Sequence, residues 1–193
     1  GAIITDVCGV KCNVVDVVQD FLRKDVEFIG SHPMAGKEVS GVQYSDDAIF
    51  HSANFIITPT EQNTEKGIAF AKELAGLLEF HHIAIITPQE HDKMIGFVSQ
   101  LTHAVAVSLM NTSDNTHLKE YTGDSFRDLT RIAKINETLW SELFFLNKEN
   151  LVQEIDDFAA ELENLKQKIA DEDEEGIKKL FIQSTERRKQ FDK

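Results

Sequence analysis

The chain has 193 residues, with 33 acidic against 20 basic side chains and a formal net charge of −13. Hydrophobic residues make up 41% and charged residues 27%, the balance of a globular chain large enough for one large domain or two small ones. The charge argues against a nucleic-acid partner, which needs a basic face, and no apolar run approaches the length of a membrane span, so no membrane is expected.

Residues 2–7 read as a short apolar strand with no basic leader before it, and therefore not as a signal peptide. Cys8 and Cys12 are the whole thiol inventory. Two cysteines make neither a disulfide framework nor a zinc site, so a reduced, cytoplasmic protein without a metal is expected. Asn13 is the expected cap of a helix whose apolar positions are Val14, Val15, Val17, Val18, Phe21 and Leu22. A second strand, residues 26–30, runs into Gly30-Ser31-His32-Pro33-Met34-Ala35-Gly36-Lys37-Glu38. In open α/β sheets ligands sit beyond the carboxyl ends of the strands. A histidine there, with an ordinary pKa of about 6.5, can accept a proton near pH 7. A plain polar turn could carry the same residues.

Residues 54–58 form the next strand, stopped by Pro59, and residues 82–86 form another before Pro88. Between them Thr64 is placed to cap a helix carrying Ile68, Phe70, Ala71, Leu74, Leu77 and Leu78. Strand and helix in alternation, with short connections, predict an α/β layer with mostly parallel pairing. The glycine-rich G-x-G-x-x-G turn of a dinucleotide site is absent from it. Residues 1–88 therefore read as the second half of a Rossmann-like nucleotide-binding domain.

From residue 89 to residue 193 the periodicity is helical throughout, which predicts an all-α domain. Met94, Phe97, Val98, Leu101, Val105 and Leu109 mark one helix, running past His103. Residues 126–135 and 139–146 continue the helical reading, and Leu151, Ile155, Phe158, Leu162, Leu165 and Ile169 mark a long amphipathic helix. A last helix opens at Ile177, Leu180 and Phe181 and ends in Arg187-Arg188-Lys189. The acidic residues between 149 and 175 suit the solvated side of these helices. Apolar residues off the main stripes, such as Phe144 and Phe145, exceed what one helical layer covers and point to a homodimer.

Four segments occur in order: Thr5-Asp6-Val7-Cys8-Gly9-Val10-Lys11, the stretch from Gly30 to Gly41, Pro88-Gln89-Glu90-His91-Asp92, and Phe126-Arg127-Asp128-Leu129-Thr130-Arg131-Ile132-Ala133. Together they resemble the prephenate dehydrogenase family, over about the first 150 residues. The resemblance implies NAD or NADP as cofactor, bound near Asp6, Val7, Cys8, Gly9 and Pro33. Its glycine-rich pyrophosphate loop would lie upstream of residue 1, leaving residues 1–193 alone inactive. It implies prephenate as substrate, or arogenate, oxidised by hydride transfer with loss of the ring carboxylate as carbon dioxide.

By the same resemblance His32 is the catalytic histidine. Arg131 matches a carboxylate-binding arginine, and His103 a substrate-pocket histidine. Arg127, one helical turn before Arg131, is expected on the same face. Ser31 and Glu38 are further substrate-side candidates. A surface salt bridge is the competing role for both arginines. The pair His91 and Asp92 is expected to be structural or to support the site from behind, with Asp92 favoured by a helix dipole. Two positions depart from the family: Gly9 stands where many relatives carry a serine, and Gln100 where some carry a histidine. A non-catalytic helical dimerisation or regulatory module that retains these motifs is the reading of a different class.

Overall fold

The computed structural model describes residues 1–37, 39 and 41–192. Glu38, a substrate-side candidate, lies outside the described residues. The chain forms two compact units, Gly1–Leu151 and Val152–Lys193.

The first unit opens with β1 (Ile3–Thr5), α1 (Cys12–Phe21), β2 (Glu27–Pro33), β3 (Asn54–Thr58), α2 (Glu65–Leu77) and β4 (His82–Ile85). The strands lie side by side in the order β1-β2-β3-β4. β1 with β2 and β3 with β4 are parallel, each pair joined through a helix, whereas β2 with β3 is antiparallel. Parallel pairing needs a crossover element. The described link between β2 and β3 holds only the short 3-10 turns Val42–Tyr44 and Asp47–Ile49, so β3 returns against β2. Ile29, Phe55 and Ile57 from the central strands pack on Ala71 and Ala75 of α2 to form the core.

Gly30 sits where α1 and β3 converge on β2. A Cβ there would fall 2.4 Å from Thr58 Oγ1 and 2.9 Å from Val15 Cγ2. Glycine alone permits that approach.

The helix starts follow local chemistry, with one exception. The Thr64 hydroxyl accepts from the Gly67 amide at 3.1 Å at the start of α2. Thr87 and Glu90 form a reciprocal capping box at the start of α3 (Pro88–Ile95). Asn13 does not cap α1, which begins at Cys12 with no cap from its own segment. The Asp92 carboxylate of α3 does so instead, accepting from the amides of Lys11 at 2.7 Å and Cys12 at 2.8 Å. An acceptor 80 residues away leaves no local signal.

A π-helical stretch, Gly96–Leu101, joins α3 to α4 (Thr102–Asn111) without a break. The continuous helix Pro88–Asn111 is 24 residues long and has a window of mean hydropathy 1.2, enough by length and composition to cross a membrane. This corrects the expectation that no run reaches that length. The apolar residues are spread over more than one face: Ile95 and Leu101 are buried, while Met94, Phe97 and Val98 are exposed. α5 (Leu118–Tyr121) and α6 (Asp124–Thr130) follow, and α6 ends in a 3-10 turn, Arg131–Ala133. α7 (Glu137–Leu146) is capped by Asn136, and α8 (Lys148–Ala170) begins at once. The first compact unit runs on past Pro88 to Leu151. Pro88, His91 and Asp92 of α3 are buried, so the first turns after β4 belong to the core of the sheet layer.

The second unit holds the rest of α8 and α9 (Glu174–Arg188). Asp173 caps α9, accepting from the Gly176 amide at 2.9 Å. Ile155, Phe158, Leu162 and Ile169 of α8 are exposed at spacings of three, four and seven residues, one helical stripe.

Candidate active site

The carboxyl ends of β1 and β2 present two segments side by side. After β1, residues 6–11 turn into α1; after Pro33, the chain leaves β2 into the glycine-containing loop. Asp6 ties the two together. Its carboxylate accepts from the Ser31 amide at 2.9 Å and the Cys8 amide at 3.0 Å, and pairs with the Lys11 ammonium at 2.5 Å. Lys11 is fully buried. Burial lowers its pKa, and the Asp6 carboxylate works against that shift. Val7 and Cys8 stay exposed at the tip of the turn. Burial, and then Asp92, push the Cys12 thiol up to about 12, and burial and Asp6 raise that of Cys8. Neither is a thiolate at neutral pH, so neither is an activated nucleophile.

His32 occupies the second-last position of β2, opposite Ile56 of β3. Its Nδ1 lies 2.8 Å from His91 Nε2, and His91 Nδ1 lies 2.7 Å from Asp92 Oδ1. His91 and Asp92 are buried. For Asp92, burial favours the neutral acid, but hydrogen bonds from His91 and from the Cys12 and Lys11 amides outweigh it and lower the pKa. Burial, the neighbouring His91 and the Lys11 charge together push the His32 pKa down to about 3. His32 is therefore neutral through the physiological range, not poised near 6.5.

His32 faces a cleft of about 550 Å³ that runs from Pro33, Met34 and Lys37 to Ser99 and His103, and on to Lys134, Asn136 and Trp140. His103 stacks on Trp140 with ring centroids 3.6 Å apart, and its Nδ1 donates to the Ser99 carbonyl at 2.9 Å. Burial lowers the pKa of His103 also. A larger cavity, about 680 Å³, lies around Gly1, Arg23 and Glu27. It sits at the opposite end of β2, the end away from which α/β ligand sites are built. The His32 cleft lies at the carboxyl end of the strand, the end where such sites are built.

The other predicted residues divide. Pro33 and His103 line the cleft with His32. Ser31 does not: it is fully buried, its hydroxyl pairing with Thr5 Oγ1 at 2.9 Å. Arg131 stands exposed in the 3-10 turn, beside the lining residues Ile132 and Lys134. Arg127 turns away, donating to Asp124 at 2.5 Å and to the Thr122 carbonyl at 3.2 Å. α6 passes into the 3-10 turn at Arg131, the residue one helical turn after Arg127.

Gln100 is buried behind the site, donating to the Leu143 carbonyl at 2.9 Å and accepting from Asn147 at 2.7 Å. A Cβ on Gly9 would meet Leu143 Cδ2 at 3.3 Å, so a leucine methyl crowds the place of the missing hydroxymethyl group. Lys134, Asn136 and Trp140 are lining residues that sequence reasoning did not assign to the site. The run Lys134-Ile135-Asn136 directly after the arginine motif was the available signal. Among the described residues no cluster of three or more His, Cys, Asp or Glu side chains could hold a metal ion.

Residues 1–84 match the family model described as prephenate dehydrogenase, nucleotide-binding domain, and residues 87–183 match that of its dimerization domain. The chain belongs to the prephenate dehydrogenase family. It is 30% identical to the prephenate dehydrogenase of Bacillus subtilis over 184 residues, 93% of this chain and 49% of that protein. It is 29% identical to a cyclohexadienyl dehydrogenase of Zymomonas mobilis over 196 residues, 96% of this chain and 65% of that protein. The crystal structure of prephenate dehydrogenase from A. aeolicus, in complex with hydroxyphenyl propionate and NAD+, superposes with a TM-score of 0.87 at 34% identity, covering 97% of this chain and 66% of that one. The chain thus spans about half the length of the B. subtilis protein. Its fold is a Rossmann-like α/β layer followed by helices, the architecture expected from the alternation of elements.

Proposed function

We propose that the chain carries the active site of an NAD(P)+-dependent prephenate dehydrogenase of tyrosine biosynthesis, acting in the cytoplasm as a homodimer. The observation that carries this reading is His32. It is a neutral imidazole at the carboxyl end of a central strand, facing a cleft and held at Nδ1 by a buried His91–Asp92 pair.

Prephenate is a cyclohexadienol with a ring carboxylate and a pyruvyl side chain. A bound nicotinamide supplies the hydride acceptor. As hydride leaves the carbinol carbon, the hydroxyl becomes acidic, and the free nitrogen of His32 accepts its proton. The ring carboxylate leaves as carbon dioxide, its electron pair aromatises the ring, and the ring oxygen takes the proton back from His32 to give 4-hydroxyphenylpyruvate. Val7, Cys8 and Gly9 at the exposed turn, with Pro33 beside His32, suit the nicotinamide end of the cofactor. Asp6 holds the turn in place rather than meeting the cofactor itself. The amino terminus of α1 is not a pyrophosphate site, because Asp92 already takes its first amides.

The substrate is a dianion and requires fixed positive charge. Arg131 meets one carboxylate, which a guanidinium can bind in two-pronged fashion, and Lys134 adds charge within the cleft. Arg127 and Ser31 act structurally, through Asp124 and Thr5. His103 favours arogenate as a second reading. With Nδ1–H committed to Ser99, its Nε2 is an acceptor, suited to an ammonium where prephenate has a keto oxygen.

Steady-state kinetics of the intact enzyme with both substrates test the assignment. His32→Asn should lower kcat by about 10²–10⁴-fold, the usual contribution of a general base, with KM changed less. Arg131→Ala should act mainly through KM, by about 2–5 kcal/mol, as for a broken desolvated charge pair. Near-normal kcat in the first and near-normal KM in the second would refute the site.

A further inference from the structure

We infer that Asp92 is a positioning residue which, through His91, fixes His32 in the Nδ1–H tautomer, and that the same carboxylate locks the base to the cofactor-facing turn by capping α1. The inference rests on the reading of His32 as the base. It goes beyond that reading in naming which nitrogen is free, what makes it free, and what else depends on the same group.

For two neutral imidazoles the chain of donors and acceptors leaves one solution. Asp92 is ionised and can only accept, so the 2.7 Å contact to Oδ1 requires the proton on His91 Nδ1. A neutral His91 protonated at Nδ1 has a lone pair at Nε2. The 2.8 Å contact to His32 must then be donated by His32 Nδ1–H. With one proton on a neutral ring, His32 Nε2 is left bare. Asp6, Lys11 and Asp92 are the charged groups near this pair, and the ammonium of Lys11, itself held by Asp6, opposes an added proton on His32. An imidazole free to choose would place its proton on either nitrogen, and a substrate-side Nε2–H would be a donor, useless as a base toward a hydroxyl.

Asp92 has a second task. Its Oδ1 also accepts from the Lys11 amide and its Oδ2 from the Cys12 amide. The turn from Asp6 to Lys11, which carries Val7, Cys8 and Gly9, ends at those amides. One buried carboxylate therefore sets both the tautomer of the base and the end of the turn beside it. Asn147 completes the arrangement from behind by donating to the Asp92 carbonyl at 2.8 Å.

Nitrogen-15 NMR of the chain labelled at histidine reads the tautomers directly, with His32→Asn used to assign the signal. At neutral pH both His32 and His91 should be protonated at Nδ1 and bare at Nε2. A His32 protonated at Nε2 overturns the proposal. In His91→Phe the Asp92 cap on α1 remains while the acceptor for His32 is gone. The His32 proton should then move to Nε2 in a measurable fraction of molecules. In the intact enzyme kcat should fall by about 10²-fold or more with KM little changed. If His91→Phe folds and leaves both the His32 tautomer and kcat as in the parent, Asp92 does not act through this relay. The tautomer measurement needs no turnover, so it stands or falls separately from the substrate assignment, which His32→Asn kinetics decide. If His91→Phe does not fold, the tautomers of the unaltered chain still decide the proposal.

Discussion

His32 binds a proton near pH 6.5 when unfolded and only at about pH 3 when folded. Between those values the unfolded chain holds more protons, so stability is lost as pH falls below about 6.5 and goes on being lost towards 3. Asp92 contributes in the same direction but in a lower window, since its folded pKa lies below the ordinary carboxylate value. Denaturant melts at pH 7, 5.5 and 4.5 should show falling stability, and His32→Asn should flatten the slope across that interval. An unchanged slope would mean that His32 titrates alike in both states. On the proposed role of His32, the acid limb of kcat/KM should move with it, to well below pH 6.5. That His32 stands at the carboxyl end of a strand, facing a cleft, was legible from its sequence context. Its lowered pKa was not, because the causes are burial, which no local pattern encodes, and then His91, 59 residues on. Arg127 shows the same limit. Its spacing from Arg131 was legible, but its contacts to Asp124 and the Thr122 carbonyl were not.

At the scale of elements, hydrophobic period and caps identified the strands and α2, including its Thr64 cap, because those signals are local. The antiparallel turn-back of β3 was missed, since it depends on what the link from β2 lacks rather than on anything β3 contains. The cap of α1 was misplaced onto Asn13, because the true acceptor is Asp92 of α3. Gly30 tests how tightly these elements meet. Adding one methyl group would put it 2.4 Å from Thr58 Oγ1 and 2.9 Å from Val15. Thr58 is fully buried, its hydroxyl has no hydrogen-bond partner, and it cannot swing into solvent. Gly30→Ala should therefore destabilise the chain by about 1–3 kcal/mol, the cost of overpacking a close-packed site. Its companion Thr58→Ser, which removes a methyl and keeps the hydroxyl, should not relieve it, whereas Thr58→Ala should recover part of the loss. Urea unfolding of the three variants and the two doubles separates these outcomes, and a fully stable Gly30→Ala would show that β2 and α1 have room to part.

For the whole molecule, the deciding quantity is apolar surface. In the first unit Met94, Phe97 and Val98 are exposed on one helix, and Phe145 of α7 is 75% exposed. In the second, the α8 stripe of Ile155, Phe158, Leu162 and Ile169 and the α9 pair Phe181 and Ile182 are exposed. Soluble monomers rarely leave contiguous apolar patches beyond a few hundred Å², and a stripe at coiled-coil spacing is what a second helix buries. The family model matching residues 87–183 is that of a dimerization domain. A second copy of this chain is therefore the expected cover, in a two-fold arrangement that presents the same surface twice. Sedimentation equilibrium at micromolar concentration should give twice the chain mass of 21.8 kDa. Replacing Phe158 and Leu162 together by Glu should shift the chain towards monomer at the same concentration. Both residues lie outside the first unit, so circular dichroism should show the sheet intact and histidine NMR should show an unchanged His32 signal. A parent chain that sediments as a monomer at every concentration would leave the apolar stripe without its partner and would overturn the dimer.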